Sequence, residues 1–252
     1  TIPPPGSLVG CSPAIVELLM RMARLAEGNA PILVSGEPGT EREIVARELH
    51  EGSPRRDGPF AVLRAMGPEP GGRVCLASSP GSGREASTPG TIFVDEVTTL
   101  SIEQQRVLLS ALELDEEAGR RASWPDLGGA RWIFGATGPL GAAVETGKLL
   151  PDLAWRLVAS EIVVPPLRDR DGDLPALVQA LRPWLVAPPE LWIHSSVAAA
   201  LEPLPLYGNL WELQRRLQEG ALRAGSGPLR SEHLVWDSWP SFPVPRTEGR
   251  RD

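Results

Sequence analysis

Lysine is almost missing from this chain: Lys148 is the only one, and every other basic residue is arginine. A net charge of -7 excludes a broad cationic surface for nucleic acid, although arginines can still cluster locally. Cysteine is equally scarce. Cys11 and Cys75 are too few for a disulfide framework in 252 residues, which points to a reducing, cytoplasmic compartment. No apolar run is long enough to span a bilayer, and no signal peptide is expected. His50, His194 and His233 have no metal-ligand spacing among themselves or with the cysteines, so they read as surface or helix-end residues. No G-x-S-x-G pattern supports Ser/His/Asp catalysis. The first residue is threonine, and the chain is expected to be a piece of a longer protein.

What is present is the composition of a globular protein, 42% hydrophobic and 23% charged, long enough for one large domain or two modest ones. The organising stretch is Ile32-Leu33-Val34-Ser35-Gly36-Glu37-Pro38-Gly39-Thr40-Glu41-Arg42-Glu43. It reads as a buried strand, a tight glycine turn and a helix start, the layout of a phosphate-binding P-loop. Where G-x-x-x-x-G-K-[ST] wants glycine and then lysine, this chain has Glu41 and Arg42.

Around that stretch the chain alternates helices and strands. Ser12 and Pro13 cap and open an amphipathic helix through Glu27. Strands are expected at Pro59 to Leu63, Gly90 to Glu96, Arg131 to Thr137 and Ile162 to Val164, and a weaker one at Arg73 to Ala77 inside a Gly/Pro/Ser-rich segment from Met66 to Pro89. Ser101 and Gln104 form a capping box before a helix from Ile102 to Leu114. The alternation argues for a parallel, helix-covered sheet. After Pro165-Pro166 only helical periodicity remains, in Leu174 to Leu185, Val197 to Leu201 and Leu210 to Leu222. The reading is therefore an α/β core over residues 1–168, a small all-helical lid over 169–235, and a poorly ordered Pro/Arg-rich tail over 236–252. The eight tryptophans are expected to fill core and lid.

Six stretches in order resemble the AAA+ domain of bacterial sigma-54-dependent transcription activators, the enhancer-binding proteins. They are Leu8-Val9-Gly10 with Ser12-Pro13-Ala14, the P-loop region, Ser53 to Phe60, Gly90 to Val97, Pro165-Pro166-Leu167-Arg168-Asp169-Arg170, and Gly208-Asn209 with Glu212-Leu213. The resemblance implies a P-loop NTPase-type sheet with a helical lid, and ATP or ADP with Mg²⁺ as cofactors. Gly36, Glu37, Gly39, Thr40, Glu41, Arg42 and Glu43 would then form the nucleotide loop. Asp95 would hold Mg²⁺ and Glu96 would activate water, the Walker B pair. A strand end carrying two solvated acids is the alternative reading of Asp95 and Glu96.

The departures fall on residues that carry chemistry. Arg42 keeps the lysine's charge in a bulkier planar group. Glu41 places a Cβ and a negative charge near the phosphates. At about 5 Å and an effective dielectric of about 20, that repulsion is roughly 3 kcal/mol per unit charge, an upper estimate if the side chain turns to solvent. The family's sensor I asparagine falls on Gly138, beside the strand-end hydroxyl of Thr137; its first arginine finger falls on Leu150 and its second on Arg156, which also reads as a surface arginine. The sensor II arginine falls on Trp211, expected to pack between lid and core. The Gly-Ala-Phe-Thr-Gly-Ala loop that engages sigma-54 is absent from Arg64 to Pro89. The expectation is a degenerate AAA+ module, its hydrolysis lost and its nucleotide binding weakened or lost, acting on another protein, such as a homologous AAA+ subunit, without binding nucleic acid or membrane directly. The alternative is a working ATPase that completes its site with an intact homologue.

Overall fold

The computed structural model describes residues 7–64, 75–78, 90–118 and 130–235. Six strands form one sheet: β1 (Ile32–Ser35), β2 (Phe60–Arg64), β3 (Cys75–Ser78), β4 (Thr91–Asp95), β5 (Arg131–Ala136) and β6 (Glu161–Val163), in the order β3-β2-β4-β5-β1-β6. All neighbouring pairs are parallel except β2 with β3, an antiparallel edge. The sheet is parallel, as expected, with this one antiparallel addition at its edge. β3 follows β2 closely in sequence, whereas a parallel pairing needs a crossover of a dozen residues or more.

Side-chain alternation divides the core between the two faces of the sheet. Ile32, Val34, Val62, Phe93 and Ile133 point to the face covered by α1 (Pro13–Ala26) and α2 (Arg42–Glu51), meeting Ile15, Leu18, Val45 and Leu49. Leu33, Leu63, Ile92, Val94 and Phe134 point to the other face. There they meet Leu108 and Leu112 of α3 (Ile102–Ala118), Leu140 of α4 (Leu140–Glu145) and Leu153 and Leu157 of α5 (Pro151–Val158). Burial on both faces is why β1 and β4 read as unbroken apolar runs.

Local signals account for most helix starts. Ser12 accepts from the Ile15 N–H at the start of α1, and Ser101 and Gln104 exchange backbone and side-chain bonds at the start of α3. Beyond β6 come α6 (Leu174–Leu181), α7 (Ser196–Leu201) and α8 (Asn209–Ala224), packed on their own cluster around Leu177, Leu201, Leu213 and Leu217. The region expected as the tail, 236–252, lies outside the described residues, as does most of Met66 to Pro89. Among the described residues no helix is long and apolar enough to cross a membrane.

Two expectations about single residues change. His50 ends α2 but is buried, its Nδ1 2.9 Å from Thr91 Oγ1 and its ring tilted against Phe60. Of the described tryptophans only Trp132 is in the core; Trp155, Trp184, Trp192 and Trp211 are exposed.

Candidate functional site

Parallel register brings the carboxyl ends of four strands to one edge of the sheet. Ser35 stands beside Ala136 and Arg64 beside Asp95, so Gly36, Arg64, Asp95, Glu96 and Thr137 all emerge there. This is where an open α/β sheet places its ligands. The cleft between this edge and α8 has a volume of about 520 Å³.

The loop from Gly36 to Glu41 is held from behind. Thr40 turns back on Glu37, its N–H and its hydroxyl both donating to that carbonyl at 3.2 and 2.8 Å. Gly39 has φ +81, and a Cβ there would lie 2.3 Å from the Gly208 carbonyl oxygen, so both conformation and space demand glycine. The start of α8 is docked on the loop: the Leu210 N–H donates to the Gly39 carbonyl at 3.1 Å, and Asn209 Nδ2 donates to the Pro38 carbonyl at 2.9 Å. Arg168 grips Glu37 through two bonds of 2.7 and 2.5 Å, which holds the Glu37 carboxyl below its usual range.

Glu41 does not face the phosphate position. Its carboxylate turns inward, 4% exposed, and pairs with Arg170. Arg170 also bonds Asp173 at 3.1 Å and the Val9 carbonyl, and Asp173 takes the Cys11 N–H at 2.7 Å and the Ser12 hydroxyl at 2.8 Å. Burial raises the Glu41 carboxyl's pKa, and the Arg170 charge only partly offsets this. The repulsion expected from the sequence is therefore reduced, because a partner on the chain beyond β6 draws the charge away. The backbone N–H groups of Arg42, Glu43 and Ile44 have no intrahelical partner, since the first helical bond runs from Val45 to Glu41, and no side chain caps α2.

Arg42 spans the site instead of standing free in the loop. Its Nη1 donates to Glu96 Oε2 at 2.9 Å and to Thr137 Oγ1 at 2.7 Å. Glu96 also takes the Thr98 hydroxyl at 2.6 Å, the Thr137 N–H at 3.2 Å and the Thr137 hydroxyl. Burial pushes the Glu96 carboxyl up, but the bonds from Thr137, Thr98 and Arg42 outweigh it and leave it below the usual value. Glu96 has a left-handed backbone, φ 63, which costs a non-glycine residue about 1–2 kcal/mol. Those side-chain bonds hold it there.

Asp95 is committed elsewhere. Its Oδ2 takes Arg64 Nε at 3.2 Å, and Arg64 Nη2 donates to Glu43 at 2.6 Å, with Arg47 on the other Glu43 oxygen at 2.8 Å. Magnesium requires nearly octahedral oxygen coordination. Here the carboxylates at the expected metal position already serve guanidinium groups, and Glu43 stands where the loop pattern has the Ser or Thr whose hydroxyl meets Mg²⁺. The side chains present differ from the Mg²⁺ set of that pattern.

The remaining predicted residues lie apart or open. Gly138 has φ +81 and nothing within 4 Å of a would-be Cβ, so no amide stands there. Leu150 caps α5 and packs on the core. Arg156 is half-buried on α5, away from the cleft lining. Trp211, expected to pack between lid and core, is 63% exposed at the cleft. Sequence reasoning missed Arg64, Arg168, Arg170 and Asn209 as parts of the site, although Arg168, Arg170 and Asn209 stood in the matching stretches. Arg64 carried no local signal, because only the register of β2 with β4 sets it beside Asp95.

Comparison with known proteins gives the family. Residues 9–167 match the Sigma-54 interaction domain. The Nif-specific regulatory protein of Rhizobium leguminosarum bv. trifolii is 32% identical over 93% of this chain and 70% of its own length. The C4-dicarboxylate transport transcriptional regulatory protein DctD of Pseudomonas aeruginosa is 32% identical over 87% of this chain and 51% of its own. Among solved structures, NtrX from Brucella abortus in complex with ADP superimposes with a TM-score of 0.72 at 25% identity, covering 94% of this chain and 57% of that one. The same protein in complex with ATP gives 0.69 at 25%, covering 90% and 56%. The chain thus spans 70% of the length of the first of these regulators and about half that of the second. With a P-loop strand and turn, a Walker B strand end and a docked helical segment in family order, this chain belongs to the sigma-54 interaction domain family, the AAA+ module of sigma-54-dependent transcription regulators.

Proposed function

We propose that this chain is a non-hydrolysing AAA+ module, with an α/β core and a helical lid, that serves a transcription regulator through protein contacts. The observation that carries the reading is Arg42 bridged to Glu96 and Thr137. A glutamate that accepts from Arg42, Thr98 and Thr137 has little capacity left to orient an attacking water. Removing one group that stabilises developing charge commonly costs on the order of 10² in rate, and here the lysine, the sensor asparagine, the first finger and the lid arginine are all replaced. Nucleotide binding is weakened, and retained in part by the unpartnered N–H groups of α2. The NtrX complexes with ADP and ATP support a nucleotide reading of the same cleft.

The partner in this reading is another protein, such as a homologous AAA+ subunit. A sigma-54 contact through the Gly-Ala-Phe-Thr-Gly-Ala loop is not part of it, since that loop is missing from the sequence. The test is turnover at millimolar Mg-ATP. We expect phosphate release at the blank rate, unchanged in Glu96→Gln. Steady release that Glu96→Gln abolishes overturns the proposal.

A further inference from the structure

We propose that the cleft binds the polyphosphate of a nucleotide as a metal-free anion, with the unused guanidinium donors of Arg42 and Arg64 making the phosphate contacts that a divalent cation would otherwise make. This rests on the non-hydrolysing reading and goes beyond it, because it concerns what contacts the bound phosphates.

The first observation is the cation arrangement. Arg64 lies between Asp95 and Glu43, and Arg42 on Glu96, so the carboxylates at the sheet edge are already neutralised by guanidinium groups. A divalent ion at Asp95 would have to share the carboxylate with Arg64, which already holds Oδ2. A phosphate need displace neither arginine, because a guanidinium has five N–H donors in a planar fork and can bridge a carboxylate to a second anion. Arg42 makes both of its bonds through Nη1, so Nε and Nη2 keep donors to offer. Arg64 uses Nε and Nη2, so Nη1 does likewise.

The second observation is independent of the arginines. Arg42, Glu43 and Ile44 line the cleft, and their backbone N–H groups have no helical partners. Across it on α8, Gln214 is 7% exposed, lines the cleft, and its Nε2 has no hydrogen-bond partner. A buried amide donor left unsatisfied is destabilising, and a ligand acceptor entering the cleft would relieve it. An anion recognised from both walls, by backbone N–H groups on α2 and by an amide on α8, needs no metal to complete its contacts.

Calorimetric titration of the chain as it stands, with ADP and ATP in EDTA and again with excess magnesium, tests this directly. We expect saturable binding in EDTA within about twofold of that in magnesium, displaced by inorganic pyrophosphate. Arg64→Gln, its fold verified by thermal melting, should weaken the EDTA affinity about tenfold, the loss of one charge-assisted hydrogen bond. Should Arg64→Gln fail to fold, Arg64→Lys takes its place; it keeps the charge, loses the fork, and should fall between. Binding that requires magnesium, no binding under either condition, or an Arg64→Gln affinity unchanged in EDTA overturns the inference. Magnesium-dependent binding without turnover overturns this inference alone, whereas turnover in magnesium overturns the proposed function.

Discussion

Glu41 and Arg42 replace the glycine and lysine of the loop, yet the structure gives them opposite fates. Arg42 stays in the cleft and spans it, whereas Glu41 leaves it for a buried pair with Arg170. Restoring glycine at 41 is therefore not a repair. It removes one of the two carboxylates on buried Arg170, which keeps Asp173 and the Val9 carbonyl but loses a charge-assisted hydrogen bond, a loss of about 1.5 kcal/mol. We expect Glu41→Gly to lower the free energy of unfolding by about that amount, measured by urea denaturation. An unchanged midpoint and slope would show that Arg170 is satisfied by Asp173 and the Val9 carbonyl alone.

At the scale of elements, the P-loop is clamped to the start of α8 through Glu37, Arg168 and Asn209. The Arg168 contact lowers the Glu37 carboxyl below its ordinary value of 4.5. A carboxylate depressed by folding binds fewer protons in the native state than in the unfolded one. Its contribution is thus complete above 4.5 and is lost as pH falls through the lowered native value. Glu37→Gln should lower the melting temperature at neutral pH, and the gap from the parent should close as the pH falls below that range. A gap of constant size down to strongly acid pH would mean that the Glu37 charge contributes nothing. α4 and α5 escaped the sequence reading because they are short, and α4 lacks a side-chain cap and follows a glycine-rich strand end. The antiparallel β3 was visible only as a weak apolar run, since its pairing partner is decided by chain reversal and not by its own residues.

At the scale of the whole molecule, two hydrophobic clusters flank the sheet and a third lies among α6, α7 and α8. What joins the third to the others includes a polar seam. Asn209 is buried, accepts the Leu167 N–H at 2.7 Å and donates to the Pro38 carbonyl at 2.9 Å. It also has φ 51, a conformation asparagine tolerates better than alanine. Asn209→Ala should destabilise the protein by about 2 kcal/mol, by leaving buried backbone groups unpaired. It should also separate the denaturation curves followed by tryptophan fluorescence and by far-ultraviolet circular dichroism, which are expected to coincide in the parent. Coincident curves in the variant would show that the clusters are coupled by apolar contact alone.

From its own residues the sequence determined the strands and helices with strong period or caps, the P-loop turn, the family, and which positions of the loop pattern carry other residues. Those features are local, or are carried by motifs whose spacing survives substitution. Tertiary structure decided where the replaced charges go. A carboxylate at position 41 is repulsive or neutral to a phosphate according to whether a guanidinium 129 residues away reaches it, and Arg170 does. Which cation stands beside Asp95 is likewise decided by the fold, since the register of β2 with β4 puts Arg64 there. Electrostatic energy depends on distance through the fold, and separation along the chain does not report it.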